Sequence, residues 1–529
     1  MIDFKKHLPD IIVVSISLLL CLVAFYNVIL PMDVFGWDQS HHALYGQLIA
    51  GDIQNGNWDG FWYHTHRQTL WPFVQSWLLG LFFVFFGISY VTARTMHLTV
   101  FFVLLLSTWF IGKSLDKEKS LLVGAISWGL LIVSKHSWEI GLDAMIEVVA
   151  AAITIFAFYF FYKLVTTKKW TYLWPAGIFM AFLLVTKYNF ALPVYLAVFL
   201  WALYEFINLL RRPLPALASK KAKPITRLDL LKPFFIQYAL LGLPSIIMFF
   251  WWMFGPNGES KWAMIGFSKT AWVDKVDQVP GFINNFLYYF EQLITSYSWF
   301  PLVGALSVIG MVGIVFLINK RNPAVIILTL LIWSFMPLII WVFMNKAPRY
   351  IYPLVPIIYF ATAFFWLAVW DMIKTKLGQQ KVKVVGLVFM AILALSVLFQ
   401  SGAMVGYFLG HENQIEPGAK YMDILDYFAQ TIPSDAPIVT GSDCGEISPY
   451  VFSFHFRDRQ VPIYNKYSLG QVKFQKGMYL VAFMKEPTPE KERDDPWYKF
   501  IRSNAANLQR VDSKYFSKLN IKTEIYLTK

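Results

Sequence analysis

The chain has 529 residues, of which 57% are hydrophobic, 18% aromatic and only 15% charged. Soluble proteins carry about 25% charged residues, so this composition excludes an ordinary globular enzyme, and its hydrophobicity excludes a disordered chain. The mean hydropathy of +0.50 indicates a protein with most, but not all, of its mass in a membrane. The two cysteines, Cys21 and Cys444, are too few for a disulfide framework or a cysteine-based metal cluster.

Apolar runs of about 20 residues, the length that spans a membrane, recur along the chain. The first run follows Lys5 and Lys6 and lacks a small-residue cleavage site, so we interpret it as a retained helix and not as a signal peptide. A shorter run, 71–87, is interpreted as a juxtamembrane helix. The eleven predicted spans lie near 11–31, 90–112, 120–134, 145–162, 171–187, 190–210, 233–254, 300–319, 323–343, 350–370 and 384–408.

The lysines and arginines of the loops fall mostly on one side of this arrangement. With 71–87 lying along the membrane surface, 21 of them lie on one side and 9 on the other, which is a positive-inside bias. If 71–87 crossed the membrane, the most basic loop, 211–227, would lie outside. We therefore expect a multi-pass protein of the inner (plasma) membrane with a cytoplasmic N-terminus. Much of the net charge of +13 is then a topology signal, and no nucleic-acid partner is predicted.

Three polar segments are placed on the outer side: the loops 32–89 and 255–299, and the C-terminal stretch 409–529. The last combines a helix-like segment, 419–432, with strand-like segments at 436–442, 477–484 and 522–528. The predicted fold class is therefore an α-helical polytopic membrane protein. Residues 1–408 form its transmembrane module, and residues 409–529 form an extracytoplasmic α/β domain.

The first outer loop opens with G-W-D-Q-S-H-H-A-L-Y-G-Q-L-I at 36–49. Leu44, Leu48 and Ile49 have helical spacing, which places Asp38 in the first turn of a helix on the membrane surface. Asp38 could be a helix N-cap. A carboxylate at the edge of the bilayer could also be a general base or a metal ligand.

Three further outer segments carry cations. His64, His66 and Arg67 precede the juxtamembrane helix; the histidines could form a metal pair, and Arg67 could hold a phosphate or simply belong to a solvated loop. Arg94 opens the second span, where it could snorkel or bind a lipid phosphate. Lys346 and Arg349 lie in N-K-A-P-R-Y-I-Y-P-L-V-P at 345–356, a proline-punctuated span end whose positive charge suits an anionic headgroup.

The fourth span is preceded by S-K-H-S-W-E-I-G-L-D-A-M-I-E at 134–147. Asp143 and Glu147 are four residues apart, so we expect them on one helix face. Ionisable groups at the mouth of a span are costly and usually functional, and Asp143 is the stronger candidate of the two.

With these motifs in this order, the chain resembles the membrane-embedded glycosyltransferases of the GT-C fold. The closest resemblance is to the bacterial branch related to protein O-mannosyltransferases and to the lipid A aminoarabinose transferase. The family often has two adjacent acids in its first motif, and here Gln39 takes the second place. The matching segments, which span roughly 10–370, are Trp37-Asp38-Gln39, His66-Arg67 with Pro72, Ala93-Arg94, Leu142-Asp143-Ala144-Met145, Thr186-Lys187-Tyr188 and the stretch from Lys346 to Pro356.

The resemblance implies transfer of a hexosyl or pentosyl group from a polyprenyl-phosphate donor to an envelope lipid, glycan or protein. Asp38 would be the general base, and Asp143 would position the acceptor. The donor phosphate would be bound by cations. A divalent ion held by Asp38, His64 and Asp143 is an open alternative, and no other cofactor is predicted. The predicted phosphate-binding cations are Arg67, Arg94, Lys187, Lys346 and Arg349.

Two other functions compete with this interpretation. A transporter or flippase of polyprenyl-linked sugars would also need many spans and outer cations. The charged motifs lie on one face, however, without a midplane ionisable pair or an inverted repeat. A non-catalytic scaffold that displays the C-terminal domain would leave the charges of the first loop unexplained.

Overall fold

The computed structural model describes the whole chain except residues 1–3, 70, 212–225, 264–280, 321, 343–345, 377–378, 411–419, 443–446, 458 and 460–474. Cys444 and most of the loop 255–280 therefore lie outside the described residues. Most of the described chain is helical. Helices α1 to α20 are, in order, Phe4–Ala24, Trp37–Gln54, Trp58–His66, Val74–Phe86, Tyr90–Leu115, Ser120–Ile132, Lys135–Leu142, Ile146–Thr167, Leu173–Leu184, Tyr188–Arg211, Arg227–Phe254, Phe282–Thr295, Pro301–Gly313, Pro323–Pro337, Val355–Lys376, Gln379–Gly410, Met422–Thr431, Pro449–His455, Pro489–Asp494 and Pro496–Ser503.

Eight helical segments of the described chain are long and apolar enough to cross a membrane. Each coincides with a predicted span, and the chain is a multi-pass membrane protein. The predicted spans 120–134 and 171–187 fall on shorter apolar helices, Ser120–Ile132 and Trp170–Leu184. The last one, 384–408, lies within α16, most of whose side chains are outside the described part. The number of eleven spans stays a prediction.

The first outer loop folds into the short helices α2, α3 and α4. Helix α4 has 13 residues, so at about 1.5 Å per residue it is shorter than the hydrocarbon core. It packs on α2 at a glycine crossing: a Cβ on Gly46 would lie 2.6 Å from Leu79 Cβ, and one on Gly80 would lie 2.7 Å from Ile49 Cγ2. Only glycine at both positions allows the two backbones to approach this closely.

The C-terminal part contains a four-stranded sheet of order β1-β2-β4-β3, with strands Ile438–Thr440, Tyr479–Lys485, Leu508–Phe516 and Ile521–Thr528 numbered in chain order. Strands β1 and β2 are parallel, and the other pairs are antiparallel. Helix α17 and strands β1, β2 and β4 confirm the predicted elements. Strand β3 was not predicted, because this edge strand is exposed except at its two ends and lacks an apolar alternation.

The C-terminal domain rests on the first outer loop. Val34 belongs to the apolar core that contains Phe428 and Phe483 of the C-terminal domain. In return, Phe454 of α18 belongs to the core formed by Phe35 and by residues of α2 and α4. The segment that precedes Asp38 thus contributes one side chain, Val34 or Phe35, to each of the two apolar cores.

Candidate active site

Four charged side chains from distant parts of the chain form one connected cluster. Arg349 Nη2 donates to Asp38 Oδ2 at 2.9 Å, and Arg349 Nε lies 3.9 Å from Glu147 Oε1. Lys187 Nζ donates to the same Glu147 oxygen at 2.8 Å. With all four groups ionised, two carboxylates balance two cations. Three of these residues were predicted site residues, and the structure brings them together around Glu147.

Burial divides this cluster into a closed and an open part. The side chains of Glu147 and Lys187 are 0% and 4% exposed, whereas those of Asp38 and Arg349 are 24% and 34% exposed. Among the described residues, the buried atoms Glu147 Oε2 and Arg349 Nε have no hydrogen-bond partner. A ligand or water would normally satisfy such atoms. The Lys187–Glu147 pair therefore forms the buried part of the site, and Asp38 and Arg349 form its accessible part.

Helix ends and breaks place all four groups. Asp38 and Glu147 lie in the first turns of α2 and α8, where the helix dipole stabilises a carboxylate. Lys187 lies between α9 and α10, and Arg349 lies in the short 3-10 helix Pro348–Leu354 that precedes α15. Both carboxylates therefore lie where a helix dipole and a neighbouring cation attract negative charge.

The Lys187 ammonium is enclosed by aromatic rings. Its Nζ lies 4.6 Å from the ring centroids of Trp71 and Phe190 and 5.0 Å from that of Tyr350. Cation–π attraction adds to the ion pair with Glu147 at such distances. The rings also exclude water, which strengthens the pair.

The N-cap interpretation of Asp38 is wrong. The N-cap of α2 is Gly36, whose backbone is extended and whose N–H donates to Gln39 Oε1 at 3.0 Å. The carboxylate of Asp38 instead accepts a hydrogen bond from Arg349. Gln39 also hydrogen-bonds to Asp143.

Asp143 and Glu147 do not share a helix face, contrary to the sequence prediction. Helix α7 ends at Leu142, Asp143 has extended backbone angles, and α8 begins only at Ile146. Burial raises the pKa of the Asp143 carboxyl to about 6, against the lowering effects of Arg94 and of the hydrogen bonds from Ala144 N–H and Gln39. Asp143 is thus a second acid beside the cluster.

Arg94 lies next to this second acid. Its guanidinium is 2% exposed, donates from Nη2 to Val34 O at 3.1 Å, and lies 5.0 Å from the ring centroid of Phe35. Its Nε and Nη1 atoms have no hydrogen-bond partner in the described part of the chain. Arg94 therefore holds the backbone of the first outer loop and does not snorkel to solvent.

The other predicted phosphate ligands lie in different surroundings. Arg67 is exposed at the end of α3, 5.9 Å from the ring centroid of Tyr63. Lys346 is buried and donates to the carbonyls of Ile339 and Ile340, both at 2.7 Å. It thereby gives hydrogen-bond partners to carbonyls at the end of an interrupted helix. Burial lowers the pKa of Lys346 to about 8.

The predicted metal ligands do not converge in the structure. His64 Nδ1 lies 2.6 Å from Asp52 Oδ2, Asp38 is bonded to Arg349, and Asp143 contacts Gln39. No group of three histidine, cysteine, aspartate or glutamate side chains able to hold a metal ion occurs among the described residues. The residues present therefore do not fit the predicted ion.

Glu147 was the weaker candidate in the sequence, and His42, a buried neighbour of the cluster, was not predicted as a site residue. His42 is one helical turn after Asp38 and is 2% exposed. Burial keeps its pKa well below the usual value, and the nearby His41, His97, Lys187 and Arg349 act in the same direction. The i,i+4 spacing from Asp38 was the signal that could have identified it.

Comparisons with known proteins give a fold and no close relative. No protein-family model matches the chain, and no curated protein matches it. Among solved structures, ArnT from Cupriavidus metallidurans in the apo state has a TM-score of 0.61 and 13% identity, over 98% of this chain and 97% of that one. The same protein bound to undecaprenyl phosphate gives a TM-score of 0.58 and 13% identity, with the same coverage.

A weaker similarity is to the oligosaccharyltransferase of Archaeoglobus fulgidus, with a TM-score of 0.46 and 14% identity over 97% of this chain and 73% of that one. At such identities only the similarity to ArnT carries structural weight, and it concerns the fold. It extends over nearly the full length of both chains, so the C-terminal domain is included. The predicted resemblance is thereby confirmed at the level of architecture: the chain has the GT-C fold of ArnT.

Proposed function

We propose that the protein is a glycosyltransferase that moves a sugar from a polyprenyl-phosphate donor to an acceptor on the outer face of the membrane. The observation that carries the proposal is the Asp38–Arg349–Glu147–Lys187 cluster, which joins an accessible carboxylate to an accessible guanidinium. ArnT of the same fold was solved with undecaprenyl phosphate bound, which supports a lipid phosphate as the donor class.

Arg349 is the proposed phosphate ligand. A guanidinium binds phosphate oxygens with two parallel hydrogen bonds, and Arg349 is exposed enough to exchange Asp38 for such an oxygen. When the bond between the anomeric carbon and the phosphate oxygen breaks, the electron pair remains on the phosphate. Arg349 then stabilises the added negative charge directly, and the buried Lys187 ammonium contributes to the positive potential from behind it.

Asp38 is the proposed general base. Once Arg349 has turned to the phosphate, the Asp38 carboxylate is free to accept the proton of the acceptor hydroxyl as its oxygen attacks the anomeric carbon. Asp143 and Arg94, which lie beside the cluster, would orient the acceptor and the loop. No step requires a metal ion.

The acceptor is proposed to be an envelope lipid, glycan or protein, and the transferred sugar a hexosyl or pentosyl group. The positive-inside bias supports a location in the inner membrane with a cytoplasmic N-terminus and the C-terminal domain outside. The site then faces the outer leaflet, where the lipid-linked donor and the acceptor meet.

The test is incubation of the purified protein with labelled polyprenyl-phosphate sugars and a crude acceptor extract. We expect transfer by the wild type, a loss of about 10²–10⁴-fold in rate for Asp38→Asn, and loss of turnover for Arg349→Ala. Arg349→Lys keeps the charge but not the bidentate geometry, so we expect intermediate activity.

Asp59→Asn is the matched control, because Asp59 is an exposed acid in the same outer loop. We expect it to retain wild-type activity. Full activity of both Asp38→Asn and Arg349→Ala would contradict the proposed site. Movement of the lipid-linked sugar across liposomes without transfer would favour a transporter instead.

A further inference from the structure

The segment that carries Asp38 is held at its beginning by the C-terminal domain. Asp33 Oδ2 accepts from Tyr421 N–H at 2.5 Å, and Asp33 Oδ1 accepts from Met422 N–H at 2.9 Å. Both amides belong to the start of α17, whose dipole favours an anion at this end. In addition, Lys420 Nζ donates to Pro31 O at 3.3 Å.

The same segment is held a second time, just after Asp38. The hydroxyl oxygens of Ser40 and Ser448 lie 3.3 Å apart, and the rings of His41 and Tyr450 meet edge-on with centroids 5.0 Å apart. Ser448 caps α18, and Tyr450 lies in its first turn. Helix α18 therefore lies directly on the first turns of α2.

Asp38 lies between these two points of attachment, five residues after Asp33 and two before Ser40. From the membrane side, Arg94 holds Val34 O. The carboxylate of Asp38 must meet Arg349, which is 311 positions away in the chain. Small shifts of a reacting group are costly, since misplacement by about 1 Å can reduce a rate about 10²-fold.

We propose that the C-terminal domain is a positioning element for catalysis: Asp33, Ser448 and Tyr450 fix the N-terminal turn of α2 so that Asp38 is aligned with the Arg349–Glu147 pair. This inference rests on the proposed transfer reaction. It makes Asp33 and Tyr450 positioning residues, which act through the geometry of Asp38 without touching the substrate.

The first experiment compares Asp33→Ala and Tyr450→Ala with the wild type in the full-length protein. We expect kcat to fall about 10- to 100-fold, while the KM for the lipid donor and the binding of undecaprenyl phosphate remain unchanged. Tyr450→Phe keeps the ring against His41 and should retain activity. Glu490→Ala, an exposed acid elsewhere in the same domain, is the matched control and should behave as the wild type.

The second experiment locks the contact. In a Cys444→Ser background, a disulfide between Ser40→Cys and Ser448→Cys would hold α18 on α2. We expect the oxidised protein to keep its turnover and to restore turnover to Asp33→Ala. Loss of turnover on locking, or an unchanged kcat in both Asp33→Ala and Tyr450→Ala, would overturn the inference.

A third measurement separates this inference from the reaction itself. Amide hydrogen exchange in residues 37–43 should become faster in Asp33→Ala than in the wild type or Glu490→Ala. If neither the wild type nor any variant transfers sugar, the proposed function fails. The difference in hydrogen exchange still shows whether Asp33 fixes the first turn of α2. Equal exchange in Asp33→Ala and the wild type would refute it.

Discussion

Glu147 shows how much a single buried carboxylate can organise. It is fully enclosed and is the shared partner of Lys187 and Arg349. Removal of one partner of a buried ion pair typically costs about 3–5 kcal/mol, because the other charge is left uncompensated. Glu147 is therefore expected to be needed for the integrity of the site before any chemistry begins.

We expect Glu147→Gln to lower the thermal unfolding temperature in detergent, and the double variant Glu147→Gln with Lys187→Met to recover part of the loss. The recovery follows because the double variant no longer buries an unpaired ammonium. The measurement is a melting curve for both variants and for Lys187→Met alone. A double variant less stable than Glu147→Gln would show that the ion pair is not the main contribution.

Asp143 gives the reaction a predictable response to pH. Since burial raises the pKa of its carboxyl to about 6, the group gains its proton as the pH falls through about 6, where an ordinary aspartate would remain ionised. If ionised Asp143 orients the acceptor, kcat/KM should decrease below that pH. Asp143→Asn should be less active at neutral pH and should lack this decrease. An identical pH profile in the variant would assign the response to another group.

At the scale of elements, the crossing of α2 and α4 depends on two glycines. A methyl group at Gly46 would lie 2.6 Å from Leu79 Cβ, whereas nothing lies within 4 Å of a Cβ at Gly51 in the same helix. We expect Gly46→Ala to destabilise the protein by about 1–3 kcal/mol through overpacking. Gly51→Ala should be neutral or stabilising by up to about 1 kcal/mol.

The check is a thermal unfolding measurement of both variants, with transfer activity measured beside it. Because α2 carries Asp38, Gly46→Ala should also reduce the rate. Equal stability of the two variants would contradict the close approach of the helices.

Individual helices and strands were predictable from the sequence where the spacing of apolar residues within the element indicated them. The spacing of Leu44, Leu48 and Ile49 correctly indicated the helix that begins beside Asp38. The four-residue interval between Asp143 and Glu147 misled, because α7 ends at Leu142 and the chain is extended before α8. Strand β3 was not predicted because an exposed edge strand needs no alternation of apolar residues.

The candidate site itself was only partly predictable. Asp38, Lys187 and Arg349 were identified individually from motifs. Their connection through Glu147 depends on four segments that only tertiary folding brings together. Lys346 has the same charge and nearly the same position as Arg349, yet its ammonium satisfies the carbonyls at a broken helix end. Sequence alone does not distinguish a cation that binds a ligand from one that donates hydrogen bonds to backbone carbonyls.

At the scale of the molecule, orientation in the membrane remains a prediction with a direct test. The positive-inside bias places residues 211–227 in the cytoplasm. Reporter fusions placed after residue 220 should therefore read as inside, and fusions to the C-terminus as outside. The opposite result for the first fusion would put the charged cluster on the other face and would remove the proposed donor and acceptor from its reach.

The exchange of Val34 and Phe454 between the two apolar cores has a consequence for biogenesis. During synthesis, Val34 emerges long before the strands and helices whose core it completes, and it waits in contact with water or lipid. The apolar core of the sheet is complete only when Val34 has packed into it. We therefore expect a chain cut between the two parts to leave a gap in each apolar core, at the places of Val34 and Phe454.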